Sequence, residues 1–175
     1  ADPVLVPTDP SMTVDGRFDE DVWDLSGEFV YSVNSSSYGG VQATVGTTAH
    51  MTDMGLYLAV RVRDSEIYAS PSRAINLNSS IELWVQTADA AAVNPDSVQM
   101  RVDALGNISK YCGRESNDFY AHYFRSVAAV TLLDAQAQDG VVATNSATGF
   151  DVELFIPWTE LGLSGKPESV AVYPQ

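Results

Sequence analysis

The sequence predicts an all-β fold, an antiparallel β-sandwich of jelly-roll or immunoglobulin-like kind with one or two short helical turns, as a single domain over residues 1–175. Three observations lead there. Runs such as Leu56 to Arg63 and Phe150 to Ile156 alternate with the period of two that a half-buried strand requires. Turn signals interrupt such runs at close intervals: Asp15-Gly16, Asn94-Pro95-Asp96, Leu105-Gly106-Asn107 and Asp139-Gly140. Almost nowhere does a long helical period appear, and many short strands with frequent turns define a sandwich.

Taken in order, Ala1 to Pro10 holds three prolines and reads as an extended entry segment, since proline lacks the donor that a central strand needs. Asp19 to Leu25 begins with acidic residues and continues with Val22, Trp23 and Leu25, which predicts a helical turn or two with Trp23 in the core. Phe29 to Val33 and Val41 to Met51 are strand-like, joined by the Ser/Gly-rich loop from Asn34 to Gly40. Leu56 to Arg63 places Leu56, Leu58, Val60 and Val62 on one face, and Tyr57, Ala59, Arg61 and Arg63 on the other. Polar residues 64–79 form a loop. Two further strands, Ile81 to Val85 and Gln99 to Asp103, flank the Asn94-Pro95-Asp96 turn. Ile108 to Tyr111, Val127 to Leu133, Val141 to Thr144 and Phe150 to Ile156 follow. Pro157 stops the last of these, Trp158 to Leu161 makes a turn ended by Gly162, and Val170 to Tyr173 begins a final strand.

Composition narrows the partners. Nine basic residues against 23 acidic ones leave a net charge of -14, which repels phosphate backbones and anionic headgroups, so neither nucleic acid nor membrane insertion is expected. The single cysteine, Cys112, excludes an internal disulfide and a cysteine-rich zinc site, and His50 and His122 lack metal-ligand spacing. No run has the roughly 18 apolar residues of a membrane span. The Ala-Asp-Pro opening suits a processed chain, and the acidic composition with only Lys110 and Lys166 points to an extracellular location.

The stretch from Ser80 to Asp103 carries the most chemistry. Alternation sends Ile81, Leu83 and Val85 inward with Met100 and Val102, and leaves Glu82, Trp84, Gln99, Arg101 and Asp103 on the opposite face. If the strands pair, Glu82 meets Arg101 beside an indole, a surface on which sugars are bound. An arginine opposite a glutamate is ordinarily a structural pair contributing about 0.2–1 kcal/mol, and an indole beside it can be covered by a loop or second layer. Tyr57, Tyr111, Tyr120 and Tyr123 are further candidate platform rings. Glu82, Asp103 and Glu153 could in principle supply a glycosidase carboxylate pair, but carboxylates are abundant here and the expectation is a non-enzymatic domain. Three Asn-X-Ser matches, at Asn34, Asn78 and Asn107, are short enough to arise by chance.

Four pieces in fixed order resemble the family 9 carbohydrate-binding modules and the wider DOMON-related sandwich group. They are Val14-Asp15-Gly16-Arg17-Phe18-Asp19-Glu20 with Trp23, the run Gly55 to Asp64, the run Ser80 to Val85, and Gly149 to Trp158 with Leu161-Gly162. The resemblance implies a module of a secreted polysaccharide-active or surface protein, with other domains of a larger chain as partners and a polysaccharide or oligosaccharide as ligand. It equates Glu82 and Arg101 with the family's binding carboxylate and arginine, and Asp103 with a further polar group. It also implies a slot aromatic near Asn76, where this chain has none, and another beyond the last strand, so the chain is expected to lack its final C-terminal segment. A structural calcium ion is the cofactor the family implies, with Asp19-Glu20-Asp21 the place to look. Two alternatives remain: a haem-binding electron-transfer domain with Met100, Met51 or His50 as axial ligands, and a protein-docking sandwich.

Overall fold

The computed structural model describes residues 11–23, 29–35, 41–64, 66–86, 98–112, 126–138, 141–142 and 144–174. Within them eleven strands form: β1 (Phe29–Ser35), β2 (Val41–Met51), β3 (Gly55–Asp64), β4 (Ser80–Gln86), β5 (Val98–Asp103), β6 (Ile108–Cys112), β7 (Val127–Leu132), β8 (Ala137–Gln138), β9 (Val141–Val142), β10 (Gly149–Pro157) and β11 (Ala171–Pro174). A five-stranded sheet has the order β1-β2-β3-β10-β7 and a four-stranded sheet the order β11-β4-β5-β6. Every pairing among the described residues is antiparallel.

The inward sets named by alternation build the shared core. Leu56, Leu58 and Val60 of β3 and Phe150, Val152, Leu154 and Ile156 of β10 pack with Ile81, Leu83 and Val85 of β4 and with Val98, Met100 and Val102 of β5. All are essentially fully buried, each worth about 1.5–3 kcal/mol of apolar transfer. This two-layer packing is the expected β-sandwich. After Pro157 a 3₁₀ turn runs from Trp158 to Leu161, and Gly162 closes it at φ 74° as expected from its lack of a side chain.

Some local expectations change. Glu20 to Trp23 is a tight turn closed by Trp23 N–H donating to the Glu20 carbonyl (3.0 Å), with no helix among the described residues before 24. The 3₁₀ turns lie instead at Ile75–Leu77, Thr144–Ser146 and Trp158–Leu161. Val141–Val142 is a two-residue strand paired with β8, and Thr144 already begins a turn. The loop expected from Asn34 includes two residues of β1. The Asn94-Pro95-Asp96 and Asp139-Gly140 turns lie outside the described residues, as do Tyr120, His122 and Tyr123.

The largest change concerns β3 and β10. Alternation predicts cover on one face of each, yet all nine residues of β10 are buried, and so are Tyr57 and Ala59 of β3. The reason is an overlying strap, residues 11–23, which adds a third partial layer: Met12 packs with Tyr57 and Phe155, flanked by Val14 and Trp23.

Candidate functional site

On the outer face of the four-stranded sheet the predicted register is realised: Glu82 lies opposite Arg101, and Trp84 opposite Gln99. The alternation that buries Ile81, Leu83 and Val85 turns Glu82 and Trp84 outward on the same strand. Arg101 Nη2 pairs with Glu82 Oε1, Gln99 Nε2 donates to Glu82 Oε2 (2.6 Å), and Arg101 Nη1 donates to Ser80 Oγ (3.0 Å). The result is a continuous polar string, Ser80–Arg101–Glu82–Gln99, running over two strands. Its charged members keep 24% (Arg101) and 20% (Glu82) of their side-chain surface, enough to be reached from water. Trp84 and Gln99 are likewise half-buried.

Sequence reading missed one ring on this face. Pairing of β11 with β4 sets Tyr173 opposite Trp84, and Tyr173 is 53% exposed. Directly opposed residues of an antiparallel pair share a face, so an exposed phenol stands beside the indole. The signal was present as a tyrosine in the last strand, but only the non-local β11–β4 register gives it a neighbour. On the other flank, Tyr111 is the register partner of Gln99.

Two predicted site residues are elsewhere. Asp103 has the right strand parity but is fully buried. Its Oδ1 accepts the Leu105 and Asn107 N–H groups (3.0 and 2.9 Å), and its Oδ2 accepts Asn78 Nδ2 and Asn107 Nδ2 (2.9 and 3.0 Å). The carboxylate holds the β5–β6 turn and the loop before β4, so its acceptor sites are taken. Tyr57 belongs to the five-stranded sheet, where the strap seals it to 3% exposure with its ring centroid 4.6 Å from that of Phe155. It is therefore on the wrong layer for the Glu82 surface.

The strap-covered face has its own carboxylate. Glu153 of β10 is 1% exposed, and its Oε1 accepts N–H groups of Asp15, Gly16 and Arg17 (3.2, 2.9 and 3.0 Å). Gly16 has φ 80°, and a Cβ there would lie 2.8 Å from Thr131 Oγ1, so glycine is required twice over. Beside it Arg61 grips Asp151 bidentately (2.8 Å twice), which raises the guanidinium pKa, and the cation sits 5.4 Å from the Phe18 ring centroid. The Asp15-Gly16 and Glu153 pieces of the sequence resemblance thus meet as a structural seam.

Glu153 lies on the outer face of one sheet and Glu82 on that of the other, with the core between, so no glycosidase pair forms from Glu82, Asp103 and Glu153. Glu20 Oε1 accepts the Thr13 N–H (2.8 Å) and its Oε2 the Trp23 Nε1–H (3.1 Å). Among the described residues no group of three or more His, Cys, Asp or Glu is placed to hold a metal ion. Met100 is enclosed in the core, and His50 and Met51, as neighbours on β2, point to opposite faces. Asn78 is buried with its amide engaged, whereas Asn107 is exposed.

The architecture defines the class: a two-layer β-sandwich with one outer face strapped over and the other bearing an accessible acid–guanidinium–amide string. No family model and no curated protein matches the sequence. Solved structures do match. A family 9 carbohydrate-binding module from Caldicellulosiruptor kristjanssonii, solved in complex with cellotriose, has a TM-score of 0.57 and 18% identity over 94% of this chain and 71% of that one. A protein of Bacteroides uniformis ATCC 8492 described as carbohydrate-binding has a TM-score of 0.56 and 12% identity over 85% of this chain and 69% of that one. The fold is that of the family 9 carbohydrate-binding modules, as the sequence resemblance implied.

Proposed function

We propose that this domain is a non-catalytic carbohydrate-binding module that takes an oligosaccharide or polysaccharide on the outer face of the four-stranded sheet. One observation carries the reading: the Glu82–Arg101–Gln99 string is fixed and water-accessible beside Trp84 and the exposed Tyr173. Vicinal sugar hydroxyls each donate and accept, and so match a row of alternating carboxylate, guanidinium and amide. The apolar C–H face of a pyranose suits an adjoining aromatic surface, the usual division of labour in a small-molecule site. The fold shared with a module solved with cellotriose supports the same reading.

The domain would serve a secreted polysaccharide-active or surface protein by holding the attached activity against its substrate. Isothermal titration with cellotriose, xylotriose and other short oligosaccharides tests the binding. Saturable heats are expected, falling more than tenfold in affinity in Arg101→Met. Flat titrations across the panel, from protein that melts cooperatively, would overturn the reading and leave a docking sandwich.

A further inference from the structure

The strapped face contains a second carboxylate that the proposed binding role does not use. Glu153 is sealed to 1% exposure, and its Oε1 already receives three backbone N–H groups. Its Oε2 accepts from Trp23 Nε1 at 3.2 Å, and Glu20 Oε2 accepts from that same nitrogen at 3.1 Å. One indole N–H therefore faces two carboxylate oxygens. Two anions gathered on one neutral donor in a part-buried site repel each other, and a proton on the buried Glu153 removes the conflict.

We propose that Glu153, crowded by the Glu20 carboxylate on one indole N–H, forms a pH-operated clasp that fastens the strap, residues 11–23, to the interior strand β10. Below neutral pH the clasp is closed. As pH rises and Glu153 ionises beside Glu20, it loosens and releases the strap from the outer face of β3 and β10.

Among the described residues the surroundings leave no cation to take the proton's place. On the strap, Asp15 Oδ1 accepts the Arg17 N–H and Arg17 reaches Glu153 through its backbone, while Asp19 and Asp21 are exposed acids. On β10 the nearest charge on this face is Asp151, and Arg61 of β3 is committed to it in a bidentate pair. Ala59 of β3 and Ala129 of β7 stand opposite Glu153, and neither titrates. Burial is the first cause that pushes the Glu153 carboxyl up to about 7 from 4.5, and the nearby Glu20 charge and the Asp15 side chain add to it against the pull of the Asp15 N–H and the indole.

The sign follows from linkage. An acid whose pKa is raised on folding binds its proton more tightly in the folded state, so its favourable contribution is complete below the unfolded value and is lost as pH climbs through the folded one. From 4.5 to about 7 the folding constant should fall by roughly two orders of magnitude on account of this group.

The experiment is urea unfolding between pH 4.5 and 8.5, comparing the native chain with Glu153→Gln and Glu20→Gln, together with amide exchange at Asp15, Gly16 and Arg17. A carboxamide copies the protonated carboxyl, so Glu153→Gln should lack the fall and gain on the native chain by roughly 10²-fold across the window. Glu20→Gln removes the repelling charge and should move the midpoint of the fall to lower pH. Exchange of the three amides should quicken with pH beyond the intrinsic rate only in the native chain. Parallel pH profiles for the native chain and Glu153→Gln would overturn the clasp. If that variant does not fold, an unmoved midpoint in Glu20→Gln would overturn it equally.

Discussion

The two outer faces of this sandwich use the same three kinds of side chain to different ends. Each has a glutamate, an arginine and a tryptophan: Glu153 and Arg61 of the five-stranded sheet with Trp23 of the strap above it, and Glu82, Arg101 and Trp84 of the four-stranded one. Glu153 is held by backbone N–H groups and an indole, under a strap that leaves it 1% exposed. Glu82 is held by the side chains of Arg101 and Gln99, and keeps 20% of its side-chain surface. Main-chain donors fixed in a turn cannot exchange partners without unfolding the strap. Side-chain donors at a wet surface can rotate toward a ligand hydroxyl. Residue type on a sheet face therefore does not distinguish a seam from a binding surface; the cover and the kind of donor do.

Substitutions can test that contrast. Glu153→Ala should be the most damaging, because it removes the acceptor that three backbone N–H groups of the strap share and leaves those of Asp15 and Gly16 unpaired beneath it; a loss of about 3 kcal/mol or more is expected in urea unfolding at pH 6. Gly16→Ala should cost about 1–3 kcal/mol, since it forces a side chain into a left-handed conformation and against Thr131. Both should leave sugar titrations on the remaining folded protein unchanged, and an equal loss of affinity would mean that the faces are not independent.

The open face should behave in reverse. Arg101→Met leaves Glu82 only partly desolvated, so stability should fall by about 1–2 kcal/mol while sugar affinity drops more than tenfold. Tyr173→Ala should be the mildest for the fold, within about 0.5 kcal/mol by thermal melting, with affinity reduced about tenfold. A Tyr173→Ala protein that binds cellotriose as tightly as the native chain would remove that ring from the site.

Much of the molecule can be read from local pattern. The pairing of Glu82 with Arg101 follows from two short alternating runs, because a one-residue slip would turn every core side chain to solvent. The stop at Pro157 and the glycine cap at Gly162 follow from the conformations those residues permit. The same alternation misplaces Asp103: its parity is outward, but Leu105-Gly106-Asn107 folds back and aims its donors at the carboxylate. An aspartate heading a Gly-Asn turn is the signal that could have found it.

What the residues settled unaided is most of the longer strands and the parity of their side chains, because period-two alternation and backbone restriction act over a few neighbours. Which face would be closed was decided only when the chain was packed. The strap over Glu153 joins positions 130 and 137 residues apart, and the Tyr173–Trp84 neighbourhood joins the last strand to the fourth. Burial and accessibility are properties of such distant encounters, and no local period encodes them.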